Sequence, residues 1–219
     1  MKHHIKAICF DMDGLLFNTE DLFDEIGMLM LERRGHQLDH DLVKRMMGQQ
    51  ADVALQIFID HYDLDDSVDD LKRESDDLFD QILPDRLAPM PGAVEILAHL
   101  EQLANRPLAL TTSSAANSVD RIMDICDLRS HFHFRLTAED IAQSKPHPEI
   151  YLTAAEKFSI SPEEMLVFED SENGCRSGVA AGANVIAIPS KLGNKHNFEG
   201  SLFVAKSLED SRIWELLGD

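Results

Sequence analysis

The amino-acid sequence predicts an α/β protein in which a bundle of helices is inserted into a doubly wound parallel sheet. Three features of the 219 residues predict this fold. A short apolar run rich in β-branched residues at 5–10 is typical of a buried strand. Residues 17–87 then show helical periodicity without strand alternation. From residue 93 onward, short apolar runs alternate with helical segments, as they do in parallel sheets with crossover helices.

Two aspartates, Asp11 and Asp13, follow the first predicted strand and are closed by Gly14. A two-residue spacing puts both carboxylates on one face of a strand, and in a tight turn it lets them converge. Buried carboxylates are costly unless a cation neutralises them, and Mg²⁺ with oxygen ligands is the natural partner. An acidic surface turn is the alternative for so short a motif. The polar groups farther along the chain favour the metal.

The inserted segment, residues 17–87, is predicted to form four helices. Gly35 is expected to end the first helix, Asp39 to open the second and Ser67 to open the fourth. The segment holds 19 acidic and 7 basic residues, so it carries −12 of the net charge of −20. We expect its acidic runs to form solvated helix faces. Prolines at 84, 89 and 91 are expected to mark the return to the sheet.

The remaining elements follow from the alternating pattern. Strands are predicted at residues 108–111, 134–137, 165–168 and 185–188, with an edge strand at 202–204. Helices are predicted at 93–103, 117–126, 148–158 and 172–181, with a last helix through residue 217.

Composition limits the partners of the protein. A net charge of −20 argues against nucleic acid or an anionic membrane as a partner, because both attract basic surfaces. No apolar stretch approaches the ~20 residues that span a bilayer, and no targeting segment is visible. Cys9, Cys126 and Cys175 lack metal-ligand spacing and suit a reduced core. We therefore expect a cytoplasmic protein, with a monomer as the default state.

Polar side chains are predicted to gather where the strands end. Thr112 and Ser113 follow the second strand, and Glu169 and Asp170 follow the fourth. Lys145 lies in a short loop stiffened by two prolines. In open α/β sheets the carboxyl ends of the strands form the binding crevice. Acids for a metal, a hydroxyl for an anion and one lysine suit phosphoryl transfer, in which catalysis is mostly positioning and charge neutralisation.

Four motifs in this order resemble those of the haloacid dehalogenase superfamily. They are Asp11-Met12-Asp13-Gly14, Thr112, Lys145-Pro146 and Glu169-Asp170-Ser171-Glu172-Asn173-Gly174. The resemblance covers nearly the whole chain and lies with the branch that carries a helical cap, which includes β-phosphoglucomutase and small-metabolite phosphatases. It implies a Rossmann-like catalytic core of residues 1–16 and 88–219 with a helical cap of residues 17–87.

The resemblance also implies a role for each motif residue. Asp11 would be the nucleophile that forms an aspartyl-phosphate, and Asp13 the general acid and base. Mg²⁺ would be held by the Asp11 side chain, the Asp13 main-chain carbonyl and Asp170, with Glu169 as a further or outer ligand. The phosphoryl oxygens would be held by Thr112 and the amide of Ser113, and Lys145 would bridge phosphate and Asp11.

The implied activity is hydrolysis of a small phosphorylated metabolite, such as a sugar phosphate, a polyol phosphate or a nucleotide. The chain departs from the mutases of this branch, which hold a second phosphate with basic cap residues. Ala51 and Glu74 stand at the aligned cap positions, Phe23 replaces a hinge histidine, and Asn18 replaces an aspartate. A sugar phosphomutase is the runner-up, and a catalytically silent binding domain and a dehalogenase are weaker alternatives. Gln49, Gln50 and Glu20 are expected to select the substrate.

Overall fold

A computed structural model describes residues 4–46, 51–103, 106–190 and 197–218 of the chain. Its sheet begins with β1, Ala7–Phe10, whose four residues are all buried. The other strands are β2 (Leu108–Thr111), β3 (Phe134–Leu136), β4 (Met165–Glu169), β5 (Asn184–Ala187) and β6 (Phe203–Val204). Their order is β3-β2-β1-β4-β5-β6, and every neighbouring pair is parallel. The predicted fold class is confirmed.

Helices cover both faces of this sheet. They are α5 (Ala93–Leu103), α6 (Ala116–Cys126), α7 (Glu149–Phe158), α8 (Glu172–Ala181) and α9 (Ser211–Leu217). Alternate residues of β1 point to opposite faces, so Ile8 and Phe10 pack with α5, α6 and α9, while Cys9 packs with α7 and α8. This two-sided burial explains why the strands are continuous apolar runs.

In the described part of the chain, four helices lie between β1 and α5 in sequence. They are α1 (Thr19–Glu32), α2 (His40–Met46), α3 (Ala51–Tyr62) and α4 (Val68–Arg86), and we call them the α1–α4 layer. As predicted, Ser67 caps α4 by accepting from the Asp70 amide. Helix α1 ends at Glu32, and Gly35 lies three residues beyond with φ 76°. No helix in the described part of the chain has the length and apolarity to cross a membrane.

The prediction that Pro84 marks the end of the α1–α4 layer is wrong. It lies inside α4, which continues to Arg86. A proline inside a helix removes the hydrogen bond of its own N–H and crowds the carbonyl four residues earlier, so the helix continues through it only where a well-packed face compensates. That face is supplied here by Phe79 and Leu83, which are both buried.

The two segments that join the α1–α4 layer to the sheet are held together by Asn18. Its side-chain amide donates to the Arg86 carbonyl at 3.1 Å, and its side-chain oxygen accepts from the Ala88 amide at 2.7 Å. Its backbone amide donates to the Ala88 carbonyl at 3.1 Å. An aspartate could accept from Ala88 but could not donate to Arg86. Asn18 can therefore hydrogen-bond both Arg86 and Ala88, whereas the aspartate expected from the resemblance could bond only Ala88 through its side chain.

An arginine cluster holds the end of α1 against α4. The Arg34 guanidinium donates to both carboxylate oxygens of Asp66 at 2.8 and 2.9 Å and to Glu74 at 2.7 Å. Arg33 donates to the same Glu74 at 2.6 Å. The Arg34 side chain is only 19% exposed, so water screens this cluster less than it screens an ordinary surface pair.

We predict that Arg34→Met lowers the free energy of unfolding at pH 7 by about 1 kcal/mol, the scale of a half-buried charged hydrogen bond. The hydrogen bond from Arg34 lowers the pKa of Asp66 below its usual value. A depressed carboxyl pKa stabilises the fold above the unfolded-state pKa of about 4, and the contribution is lost as the pH falls through the folded-state pKa. Urea unfolding at pH 7 and pH 3 should therefore show a stability difference that shrinks in acid.

Arg73→Met is the matched control for this measurement. Arg73 pairs with Asp70 on the exposed surface of α4, with 75% of its side chain accessible. The control is expected to unfold like the wild type. Equal unfolding midpoints for Arg34→Met and Arg73→Met at pH 7 would contradict the role of the arginine cluster.

Candidate active site

A buried lysine joins two buried carboxylates at the carboxyl end of the sheet. Asp11 follows β1 directly, and Glu169 ends β4, the strand beside it. Lys145 reaches them from the loop before α7 and donates from Nζ to Asp11 Oδ1 and to Glu169 Oε1, each at 2.6 Å. A third bond runs to the Thr111 carbonyl at 3.0 Å. All three charged side chains are at least nine-tenths buried.

Asp170 adds a third carboxylate to this cluster. One oxygen each of Asp11, Glu169 and Asp170 can be chosen so that all lie within 4.8 Å of one another. Asp170 Oδ2 is buried and has no hydrogen-bond partner among the described residues. Burial raises the pKa of Asp11 and of Asp170 well above the usual range of aspartate. Three carboxylates with one ammonium leave an excess of buried negative charge, and an all-oxygen donor set of this kind fits Mg²⁺.

The Asp13 side chain lies apart from the acid cluster and is surrounded by hydroxyls. Its Oδ1 accepts from Thr19 at 2.7 Å, and its Oδ2 accepts from Thr112 at 2.9 Å and Ser114 at 2.7 Å. The Thr112 hydroxyl thus meets Asp13 rather than an open anion site. The Ser113 hydroxyl is buried and finds no hydrogen-bond partner in the described part of the chain. Phosphate contacts by Thr112 and Ser113 stay predictions.

Gly14 explains how Asp13 can turn so sharply toward these hydroxyls. Its φ of 75° lies in the left-handed region, which side chains other than glycine rarely adopt. A Cβ at this position would also lie 2.5 Å from Asp170 Oδ2. The loop between the two aspartates and α1 therefore passes too close to the third acid for any other residue.

Two further residues belong to the site that sequence reasoning did not place there. Glu20, in the first turn of α1, neighbours Ser190 and Asp170, and burial raises the pKa of its carboxyl to about 7. The sequence suggested Glu20 only as a substrate-selecting residue. Tyr151 of α7 is fully buried and donates its hydroxyl to Glu169 Oε1. Its place on the apolar face of a helix gives no sign of that role.

Two of the residues at which the chain departs from the mutases, Phe23 and Glu74, lie in different surroundings. Phe23 is 43% exposed and stacks on Phe79 of α4 with ring centroids 5.2 Å apart. Glu74 lies with Arg33 and Arg34 beyond the far end of α1, on the order of 20 Å along this 14-residue helix from Thr19. Glu74 is thus a structural ion-pair partner, and its alignment with a mutase lysine carries no argument about the site. Gln49 and Gln50 lie outside the described residues.

Comparison with known proteins places this arrangement among hydrolases. A family model described as haloacid dehalogenase-like hydrolase matches residues 8–188. A probable pseudouridine-5'-phosphatase of Drosophila melanogaster is 32% identical over 208 residues, which cover 92% of this chain and 89% of the relative. A phosphorylated carbohydrates phosphatase of Thermotoga maritima is 30% identical over 178 residues, covering 81% of this chain and 82% of the relative.

A solved structure shows the same fold. CbbY from Rhodobacter sphaeroides, in complex with phosphate, superimposes with a TM-score of 0.81. The match covers 93% of this chain and 95% of CbbY at 24% identity. The likeness therefore extends over both the sheet and the α1–α4 layer.

We predict that Lys145→Ala reduces turnover on the order of 10²-fold or more, as removal of other electrostatic stabilisers does. It should also lower stability by about 3–5 kcal/mol, because Asp11 and Glu169 would stay buried without their counter-ion. Steady-state kinetics and thermal unfolding measure the two effects separately. Lys157→Ala, on the exposed side of α7, is the control. A folded Lys145→Ala protein with turnover within about twofold of wild type would show that Lys145 is not part of the active site.

Proposed function

Because the chain belongs to the family of haloacid dehalogenase-like hydrolases, we propose that it is a Mg²⁺-dependent phosphatase that acts through an aspartyl-phosphate on Asp11. It is a phosphoric monoester hydrolase, as its relatives named phosphatases are. The proposed substrate is a small phosphorylated metabolite: a sugar phosphate, a polyol phosphate or a nucleotide. The two relatives described above are named for a nucleotide and for phosphorylated carbohydrates.

One observation carries the proposal. A carboxylate that can attack phosphorus, Asp11, is buried beside an ammonium, Lys145. It lies within reach of a second acid, Asp170, one oxygen of which has no hydrogen-bond partner among the residues that the structure describes. An anionic nucleophile cannot approach an anionic phosphate until cations cancel their repulsion. Lys145 supplies one positive charge, and the remaining excess of carboxylates supports a divalent ion as the other.

In the first half of the proposed reaction, a carboxylate oxygen of Asp11 attacks phosphorus and the bond from phosphorus to the ester oxygen breaks. The proton for the leaving oxygen comes from the Asp13 carboxyl. Since Asp13 accepts from Thr19, Thr112 and Ser114 in this structure, it must exchange at least one of these hydroxyls for the substrate oxygen. The Thr112 hydroxyl would thereby become free to bind a phosphoryl oxygen.

In the second half, the Asp13 carboxylate takes a proton from water as the water oxygen attacks phosphorus. The bond from phosphorus to Asp11 breaks, inorganic phosphate leaves, and the Asp11 carboxylate is restored. Lys145 stays paired with Asp11 Oδ1 through both halves and offsets the charge that develops on the phosphoryl group.

The metal would be held by the Asp11 side chain, the Asp13 main-chain carbonyl and Asp170, with Glu169 as a further or outer ligand. When bound, it supplies positive charge that draws electrons from the phosphoryl group and neutralises the buried acids. The position of the Asp13 side chain agrees with this assignment, because that carboxylate faces hydroxyls and not the acid cluster.

We further propose that residues 17–87 form a cap over a catalytic core of residues 1–16 and 88–219. Polar contacts between the α1–α4 layer and the core include Thr19 with Asp13, Glu20 near Asp170, and an ion pair between Asp80 of α4 and Arg121 of α6. A substrate bound between cap and core would meet Glu20 on one side. In this proposal the protein works as a monomer on a small molecule.

The metal and the nucleophile give one test. Activity on phosphate esters is expected to require Mg²⁺ and to fall to background in Asp11→Asn, which keeps the side-chain shape but removes both the nucleophile and a ligand charge. Phosphate release from a broad metabolite panel, with and without excess chelator, measures both effects. Asp60→Asn, on the exposed surface of α3, should retain full activity. Unchanged turnover in chelator, or in Asp11→Asn, would disprove the mechanism.

The products separate this proposal from a sugar phosphomutase. A mutase must hold a bis-phosphorylated intermediate while excluding water, and a second dianion needs cationic cap groups. Residues 17–87 carry a net charge of −12, and Arg33 and Arg34 are already paired with acids. We predict release of inorganic phosphate from at least one monophosphate, with no conversion of sugar 1-phosphate to 6-phosphate when a sugar bisphosphate is supplied. Efficient interconversion with little phosphate release would favour the mutase.

A further inference from the structure

We propose that Tyr151 is a positioning residue whose hydroxyl orients Glu169, and through it Lys145, toward the metal and the nucleophile. The catalytic part of this inference rests on the proposed phosphatase function, whereas its metal-binding part can be measured without any substrate. Tyr151 belongs to none of the four sequence motifs, and it contacts the acid cluster through Glu169.

The Tyr151 hydroxyl and the Lys145 ammonium share one acceptor. Tyr151 lies in the first turn of α7, is fully buried and donates to Glu169 Oε1. Lys145 Nζ donates to the same oxygen at 2.6 Å and lies 5.4 Å from the centroid of the tyrosine ring. The ring therefore bounds the ammonium on one side while the hydroxyl fixes its counter-ion.

These contacts give the Glu169 carboxylate a single orientation. Oε1 has two donors, whereas among the described residues Oε2 has one long hydrogen bond, from the Ser171 hydroxyl at 3.3 Å. On the other side of the carboxylate lies Gly174 of α8, where any Cβ would overlap the carboxylate atoms. Tyr151 and Gly174 thus both confine the carboxylate, from which one oxygen would join those of Asp11 and Asp170 around a cation.

Packing alone does not explain a tyrosine at this position. The ring belongs to a buried apolar cluster that includes Cys9, Ala154 and Val167, and such a cluster would accommodate a phenylalanine equally well. A buried hydroxyl costs free energy unless it is hydrogen-bonded, and here it bonds a residue of the acid cluster. Partners that orient a metal-binding carboxylate typically change metal affinity or activity by about 10–100-fold.

The test is Tyr151→Phe, which removes the hydroxyl and keeps the ring. Titration calorimetry of the substrate-free protein is expected to show Mg²⁺ binding about 10-fold weaker than in wild type. Turnover at saturating Mg²⁺ should fall by about 10-fold as well, with KM for the phosphate ester within about twofold, because the defect lies at the nucleophile. The matched control is Tyr62→Phe, because the Tyr62 hydroxyl accepts from the Asp39 amide in the α1–α4 layer.

A double-mutant cycle with Glu169→Gln shows whether Tyr151 acts through Glu169. The Tyr151→Phe loss of Mg²⁺ affinity should shrink to about twofold or less in the Glu169→Gln background, because coupled residues are not additive. Equal losses in both backgrounds would overturn the inference. The inference would also be overturned if Tyr151→Phe bound Mg²⁺ as tightly as wild type or did not fold. It would be overturned as well if the wild-type protein did not bind Mg²⁺. Weakened Mg²⁺ binding in a protein inactive on every phosphate ester would leave the inference standing and refute the proposed phosphatase.

Discussion

The structure depends on one buried ammonium. Lys145 lies between Asp11 and Glu169 at the end of two adjacent parallel strands, where the register of β1 and β4 brings two acids side by side. Without a cation these side chains could not stay ionised in a core from which water is excluded. The lysine balances only one of three acids, and within the described ranges an oxygen of Asp170 has no hydrogen-bond partner. The remaining imbalance fits a second cation.

The α1–α4 layer is coupled to this charge balance. Glu20, in the first turn of α1, neighbours Asp170, and Thr19 donates to the Asp13 carboxylate. Two consecutive residues at the start of the layer thus touch both acid groups of the site. Asn18, just before them, ties together the two segments that lead into and out of the layer. Any movement of the layer against the sheet would therefore change the surroundings of Asp13 and Asp170 first.

The acidic residues of this layer have two different roles. Some acids are structural, such as Asp66 and Glu74 around Arg34, and these stabilise helix packing. Other acids, such as those in the runs along α4, lie in solvent and take no part in the proposed catalysis. Glu74 shows why the distinction matters, because it aligns with a mutase lysine, whereas its contacts place it at the far end of α1. Charge near a site is informative only when the fold brings it there.

The sequence by itself determined the order of strands and helices, the parallel sheet and the family. These depend on local patterns: apolar runs that favour strands, periodic faces that favour helices, and short motifs at strand ends. The Asp11, Lys145 and Asp170 motifs are recognisable for the same reason. Pro84 was misplaced because the sequence shows the lost N–H but not the packing of Phe79 and Leu83 that lets α4 continue. Only the tertiary structure decided that Thr112 bonds Asp13 and that Tyr151 bonds Glu169. The first two residues are 99 positions apart in the sequence and the second two are 18 positions apart. Contacts of that kind depend on strand register and on the distance between a helix and a sheet, which no local pattern contains.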